Sequence, residues 1–134
     1  LCVAWGTYTH ATNLAATTII EYCRLPAGAV LVGGYWSATD LDTNGTEELD
    51  IDIGWAANGS DLADPDGLGN LDVLTGDVSV HSPVAGIYVP FLGVLRTAGP
   101  ITFAKETVLQ AVVNVDAATG GTGQSTLVAY YYVP

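Results

Sequence analysis

The chain is 134 residues long, 49% hydrophobic and 13% charged, which suits one domain with a real core and argues against disorder. Fourteen Asp and Glu against three Lys and Arg leave a net charge of −11. With Arg24, Arg96 and Lys105 as the only cations it cannot build a phosphate-binding patch, so nucleic acid is not an expected partner and neither is an anionic membrane surface.

No apolar run approaches the roughly 20 residues of a spanning helix. The chain has no Met and opens at Leu1, which points to an initiator segment removed upstream. Cys2 and Cys23 allow at most one bridge. Free thiols in a reducing compartment are the expectation, and the sequence leaves their pairing open.

In chain order, residues 1–16 read as an N-terminal arm or first strand, with a short strand around Gly6–His10, and residues 17–134 as a single β domain. Thr17–Arg24 is β-branched and aromatic and is closed by Pro26 and Gly28, a strand followed by a turn. Ala29–Ala38 is the next strand, and its Gly33-Gly34 pair predicts a bulge or a close backbone approach. An Asn44-Gly45 turn then joins it, as a hairpin, to a strand in which Leu49, Ile51, Ile53 and Trp55 alternate with Glu48, Asp50, Asp52 and Gly54. That alternation places an apolar row on the core and an acidic row in solvent.

From Ala56 through Gly69 the Asn58-Gly59 and Pro65-Asp66-Gly67 signals predict a long loop. The spacing of Leu68, Leu71 and Leu74 predicts a short helical turn after it. Val78–Val80 is a further short strand, Ile87–Leu95 is an edge strand or two pieces because Pro90 and Gly93 interrupt it, and Ile101–Ala104 is another strand. Thr107–Asp116 places Leu109, Ala111, Val113 and Val115 on one face, and the turn after it predicts a hairpin with Ser125–Val133. About eight strands with no βαβ alternation imply an all-β, antiparallel sandwich of jelly-roll type.

Chemistry is sparse. Asp40, Asp42 and Asn44 with Gly45 match the first half of a calcium loop, and Glu47, Glu48 or Asp50 offer further oxygens. The twelfth position is Ile51, however, where a bidentate Glu is required, and an Asn-Gly hairpin turn with Asp residues favouring the same bend explains the same residues. Asp61, Asp64 and Asp66 form a second acidic cluster open to the same two readings. His10 and His81 lack zinc spacing, and no nucleophile elbow, P-loop or dinucleotide fingerprint is present. Cys23 with a distant His, or Asp50 with Asp52 on one face, are the only catalytic pairs on offer. No cofactor and no enzymatic activity are expected. In Thr126–Pro134 both faces are apolar, so this is either a doubly covered central strand or one whose Val128, Tyr130 and Tyr132 meet another subunit.

The phrase Leu-Pro-Ala-Gly-Ala at Leu25–Ala29, the Gly33-Gly34-Tyr35 strand, the Asp-Thr-Asn-Gly turn at 42–45 and Leu49–Trp55 resemble small virion proteins of tailed bacteriophages, nearest to head-decoration (cement) proteins. The chain end Tyr131–Pro134 fits the same pattern loosely. The resemblance implies a β-sandwich subunit, trimeric, on the outer surface of the head, bound to the lattice of the major capsid protein and tying capsomers together. The acidity of this chain and its Trp36 and Trp55 depart from the pattern. A calcium-dependent carbohydrate-binding sandwich, built on Asp40–Gly45 and those tryptophans at the surface, is the reading from another class. A tail or neck structural protein and a hydrolase using Asp50 and Asp52 stand behind these.

Overall fold

The structure is a computed structural model that describes residues 1–11, 14–46, 48–70 and 87–134. Among these the chain forms β1 (Cys2–His10), β2 (Ile19–Leu25), β3 (Val30–Ala38), β4 (Asp50–Trp55), β5 (Asp64–Asn70), β6 (Ile87–Pro90), α1 (Gly93–Ala98), β7 (Ile101–Thr102), β8 (Thr107–Val115) and β9 (Gly123–Tyr132). All pairings are antiparallel. One sheet runs β1-β9-β3-β6, with β7 alongside the other end of β3, and the second runs β2-β8-β4-β5. With the two-residue β7 set aside, this is the winding of a jelly roll, in which the chain keeps changing sheet.

Alternation explains the layering. Leu49, Ile51, Ile53 and Trp55 face inward from β4 and its approach, and Leu109, Ala111 and Val113 from β8, all nearly inaccessible. Leu127 and Ala129 of β9 and Leu31 and Trp36 of β3 close the core from the other sheet. Val115, the last residue of β8, is exposed instead of joining this row.

Several expectations from the sequence are corrected. β3 and β4 lie in different sheets, so the Asn44-Gly45 segment is a crossover between layers and no hairpin. β8 and β9 are separated in the same way. Pro65-Asp66-Gly67 lies inside β5, an outermost strand, the place in a sheet where proline is tolerated because its missing N–H faces outward. The described helical turn is α1, after β6, while Leu68 belongs to β5. Leu71, Leu74 and the Val78–Val80 strand fall outside the described residues.

The Gly33-Gly34 pair does both things its position predicts. The register against β9 shifts between Leu31 and Gly33, and a Cβ on Gly34 would meet the backbone carbonyl oxygen of Val128 at 2.2 Å. The acidic row of β4 is less exposed than expected: Asp50 is buried and Asp52 half-buried, since β4 runs between β8 and β5 and both flanks cover it.

Candidate functional site

The five strands of the β1-containing sheet hold no Asp, Glu, Lys or Arg, although the chain carries seventeen such residues. The outward face of this sheet can be read as rows across the strands. Val3 of β1 lies beside Tyr130 of β9, which lies beside Gly33 of β3. The next row is Trp5, Val128, Tyr35 and Pro90, and the next Thr7, Thr126, Ser37 and Tyr88. Paired residues share a face, so this is one continuous surface of aromatic, aliphatic and hydroxyl groups. Trp5 is 65% exposed, Val3 54% and Tyr88 66%. Tyr35 and Tyr88 hold their rings 4.9 Å apart, and the Thr7 and Thr126 hydroxyls hydrogen-bond at 2.8 Å.

The residues singled out from sequence sit in this surface. Val128 and Tyr130 are half-buried among their strand neighbours, and Tyr132 is 43% exposed near the end of β9. Sequence reasoning missed Trp5, Tyr35 and Tyr88. The signal available was the absence of charge in Cys2–His10 and Val30–Ala38, which becomes meaningful only once those segments are known to share a sheet.

Beneath the face, a buried polar chain stiffens β9 against both neighbours. The bulge in β2 at Tyr22 turns that side chain into the core, where its hydroxyl meets Ser125 Oγ at 2.6 Å and accepts from Trp36 Nε1 at 2.9 Å. His10 Nε2 meets the same Ser125 hydroxyl at 2.7 Å. His10 and Ser125 have the chemistry of a nucleophilic pair, but both are sealed in the interior, without room for a substrate. Cys23 offers no better. Burial pushes its thiol up to about 11, so it stays protonated at neutral pH, and the hollow beside it, lined by Glu21, Tyr22, Cys23, Arg24 and Val108, is only about 170 Å³. Cys2 and Cys23 are both free thiols.

Burial also lowers the pKa of His10 from its ordinary 6.5. A group whose folded pKa lies below its unfolded value contributes stability above the unfolded pKa and loses it as pH falls. Thermal melts should therefore show stability falling as pH drops from about 6.5 towards 5. His10→Gln should flatten that limb, and an unchanged limb in the variant would assign it elsewhere.

The calcium-like segment resolves into three successive Asx turns. Asp40 Oδ1 accepts from the Asp42 amide at 3.1 Å, Asp42 Oδ1 from Asn44 at 3.2 Å, and Asn44 Oδ1 from Thr46 at 2.9 Å. Asp42 is buried, and its carboxylate accepts four further backbone amides: Glu48 at 2.9 Å, Leu49 at 3.2 Å, Ala118 at 2.9 Å and Thr119 at 3.0 Å. Burial would raise its pKa, but the amides outweigh it and hold the group below the ordinary carboxylate range. The β3–β4 and β8–β9 crossovers thus run side by side, bridged at Asp42 and Gly120 and pinned by one carboxylate. Glu48 is exposed and contributes its amide to Asp42.

Among the described residues no cluster of three or more His, Cys, Asp or Glu side chains is placed to hold a metal ion. Calcium titrated into the protein should give no stoichiometric heat, and one-to-one uptake would reverse the assignment of Asp42 as an amide anchor.

The second acidic cluster divides. Asp61 Oδ2 braces Asn58 at 2.6 Å and the Ala104 amide at 3.1 Å, while Asp64 and Asp66 stand two apart on β5. Burial, then the hydrogen bond and charge of Asp66, raise the Asp64 pKa. Trp36 and Trp55 are both buried, and the exposed tryptophan is Trp5.

No protein-family model matches this sequence, and no curated protein is significantly similar to it. Solved structures do match. A chain of the cyanophage Pam1 capsid asymmetric unit superposes with a TM-score of 0.75 at 21% identity, over 99% of this chain and 84% of that one. A chain of the acidic stable capsid of Helicobacter pylori bacteriophage KHP30 gives 0.67 at 16% identity, over 99% and 87%. A chain of the capsid of Ralstonia phage GP4 gives 0.66 at 23%, over 98% and 84%. The fold is one found in bacteriophage capsids. In each case the sandwich makes up most of the matched chain, so those chains are subunits of comparable size.

Proposed function

We propose that this protein is a non-enzymatic structural component of a phage virion, a decoration or cement protein that binds the outer surface of the head and stabilises the shell. The observation that carries this reading is the uncharged aromatic face, on a fold shared with capsid chains of similar size. A shell-binding subunit needs broad apolar contact and no reaction centre, and Tyr and Trp are the side chains enriched at such contacts. The partner is the major capsid protein lattice.

The subunit is a homotrimer whose contact includes Val128, Tyr130 and Tyr132. Copies that each carry eleven negative charges repel one another within about 8 Å at physiological salt, so they meet on neutral surface. Sedimentation at tens of micromolar should find trimer contacts that Tyr130→Ser/Tyr132→Ser removes. A variant that remains trimeric takes those tyrosines out of the contact. Immunogold labelling of particles carrying this chain should mark the head at many sites. Label confined to the neck or tail would overturn the decoration role while keeping the virion one.

A further inference from the structure

The two sheets have four edges among the described residues, and three are closed to further pairing. The edge formed by β6 and β7 offers strands of four and two residues and ends β6 in Pro90. β2 carries Glu21 and Arg24 around its bulge. β5 carries Asp64, Pro65 and Asp66, and its register against β4 shifts. Short length, charge, proline and bulges are the devices by which natural sheets prevent strand addition.

β1 has none of these devices. It is nine residues long, lacks Asp, Glu, Lys, Arg and Pro, and holds an unbroken register with β9 from Cys2 to His10. Among the described residues β9 is its only strand partner, so the N–H and C=O groups on its other side point outward.

We propose that β1 pairs antiparallel with β1 of a second copy across a two-fold axis at Gly6, joining two five-stranded sheets into one of ten strands. Among the described residues a second copy has no other open edge to offer, because its β2, β5 and β6 edges are closed in the same way. Two chains of −11 can meet along a strand without like charges opposed, and β1 is that strand. The register centred on Gly6 is the one that overlaps all nine residues. It sets Val3 against Thr9 of the second copy and Trp5 against Thr7, and the parity keeps outward side chains beside outward side chains. Such a contact is isologous, so it cannot close a three-fold ring and instead links one trimer to the next. That use on a shell rests on the decoration reading; the pairing itself does not.

The test is a charge swap read by sedimentation and by hydrogen exchange of the β1 amides. Wild type should associate through a two-fold contact that protects the outward amides of β1. Val3→Lys/Thr9→Lys sets like charges opposite each other twice and should weaken that association about tenfold or more, with the amides exchanging freely. Val3→Lys/Thr9→Glu sets opposite charges together and should restore both. Tyr130→Ser/Tyr132→Ser, which removes the three-fold contact, should leave a dimer, so failure of the trimer and failure of the β1 pairing are separate results. Wild-type outward amides that exchange freely, a Lys/Lys variant that associates like wild type, or no rescue by the Lys/Glu variant would each overturn the proposal.

Discussion

Asp42→Ala should cost about 4 kcal/mol of stability, a large share of the roughly 5–15 kcal/mol available to a domain. The side chain accepts five backbone amides, from Asn44, Glu48 and Leu49 on one crossover and Ala118 and Thr119 on the other. Truncation leaves these donors, most of them part-buried and that of Leu49 buried, without their acceptor, and a hydrogen bond left unmade away from water costs more than a made one contributes. Asp42→Asn keeps one acceptor oxygen and the shape and should cost about half as much.

The acid limb carries a second signature. Because the folded pKa of Asp42 is depressed, its contribution is present above the unfolded value near 3.8 and is lost as pH falls through the lower folded value. The Asn variant should lack that dependence. Urea unfolding at neutral pH and at pH 3 measures both effects, and a loss below about 1 kcal/mol for the Ala variant would mean that water replaces the carboxylate.

Gly6→Ala should cost about 3 kcal/mol, far more than an alanine ordinarily costs in a strand. A Cβ at this position would lie 1.9 Å from the carbonyl oxygen of Tyr22, 2.6 Å from its carbon and 3.0 Å from its Cα. All three atoms are backbone of the opposite sheet, so no rotamer change relieves the overlap and β1 must lift away from β2. The same movement strains the His10–Ser125 contact at the end of β1. Gly69→Ala, where a Cβ meets nothing within 4 Å, serves as the control and should be near neutral. Calorimetry together with hydrogen exchange of the β1 amides reads the result, and equal melting temperatures for the two variants would show that the sheets separate freely at this corner.

Both positions show why the candidate site was only partly legible from sequence. Val128, Tyr130 and Tyr132 stood out because alternation in a terminal strand is a local pattern. Trp5, Tyr35 and Tyr88 did not, since they come from three segments that share a face only through the β1-β9-β3-β6 order. The Asp-Leu-Asp-Thr-Asn-Gly phrase was open to a calcium-loop and a hairpin-turn reading, and the role of Asp42 depends on Ala118 and Thr119, seventy-six and seventy-seven residues away.

What the sequence determined by itself is the all-β class, the inward rows of β4 and β8, the bulge at Gly33-Gly34 and the neutrality of particular segments. These follow from side-chain alternation and backbone sterics, which act within a few residues. The tertiary structure decided which strands pair. A two-sheet crossover and a hairpin present the same turn residues and the same alternation, because each strand needs only one apolar face whichever sheet receives it. The choice between them was made by the closure of the whole core: β3 and β8 each leave their sequence neighbour for a partner that completes a layer, and one buried carboxylate holds the two departures together.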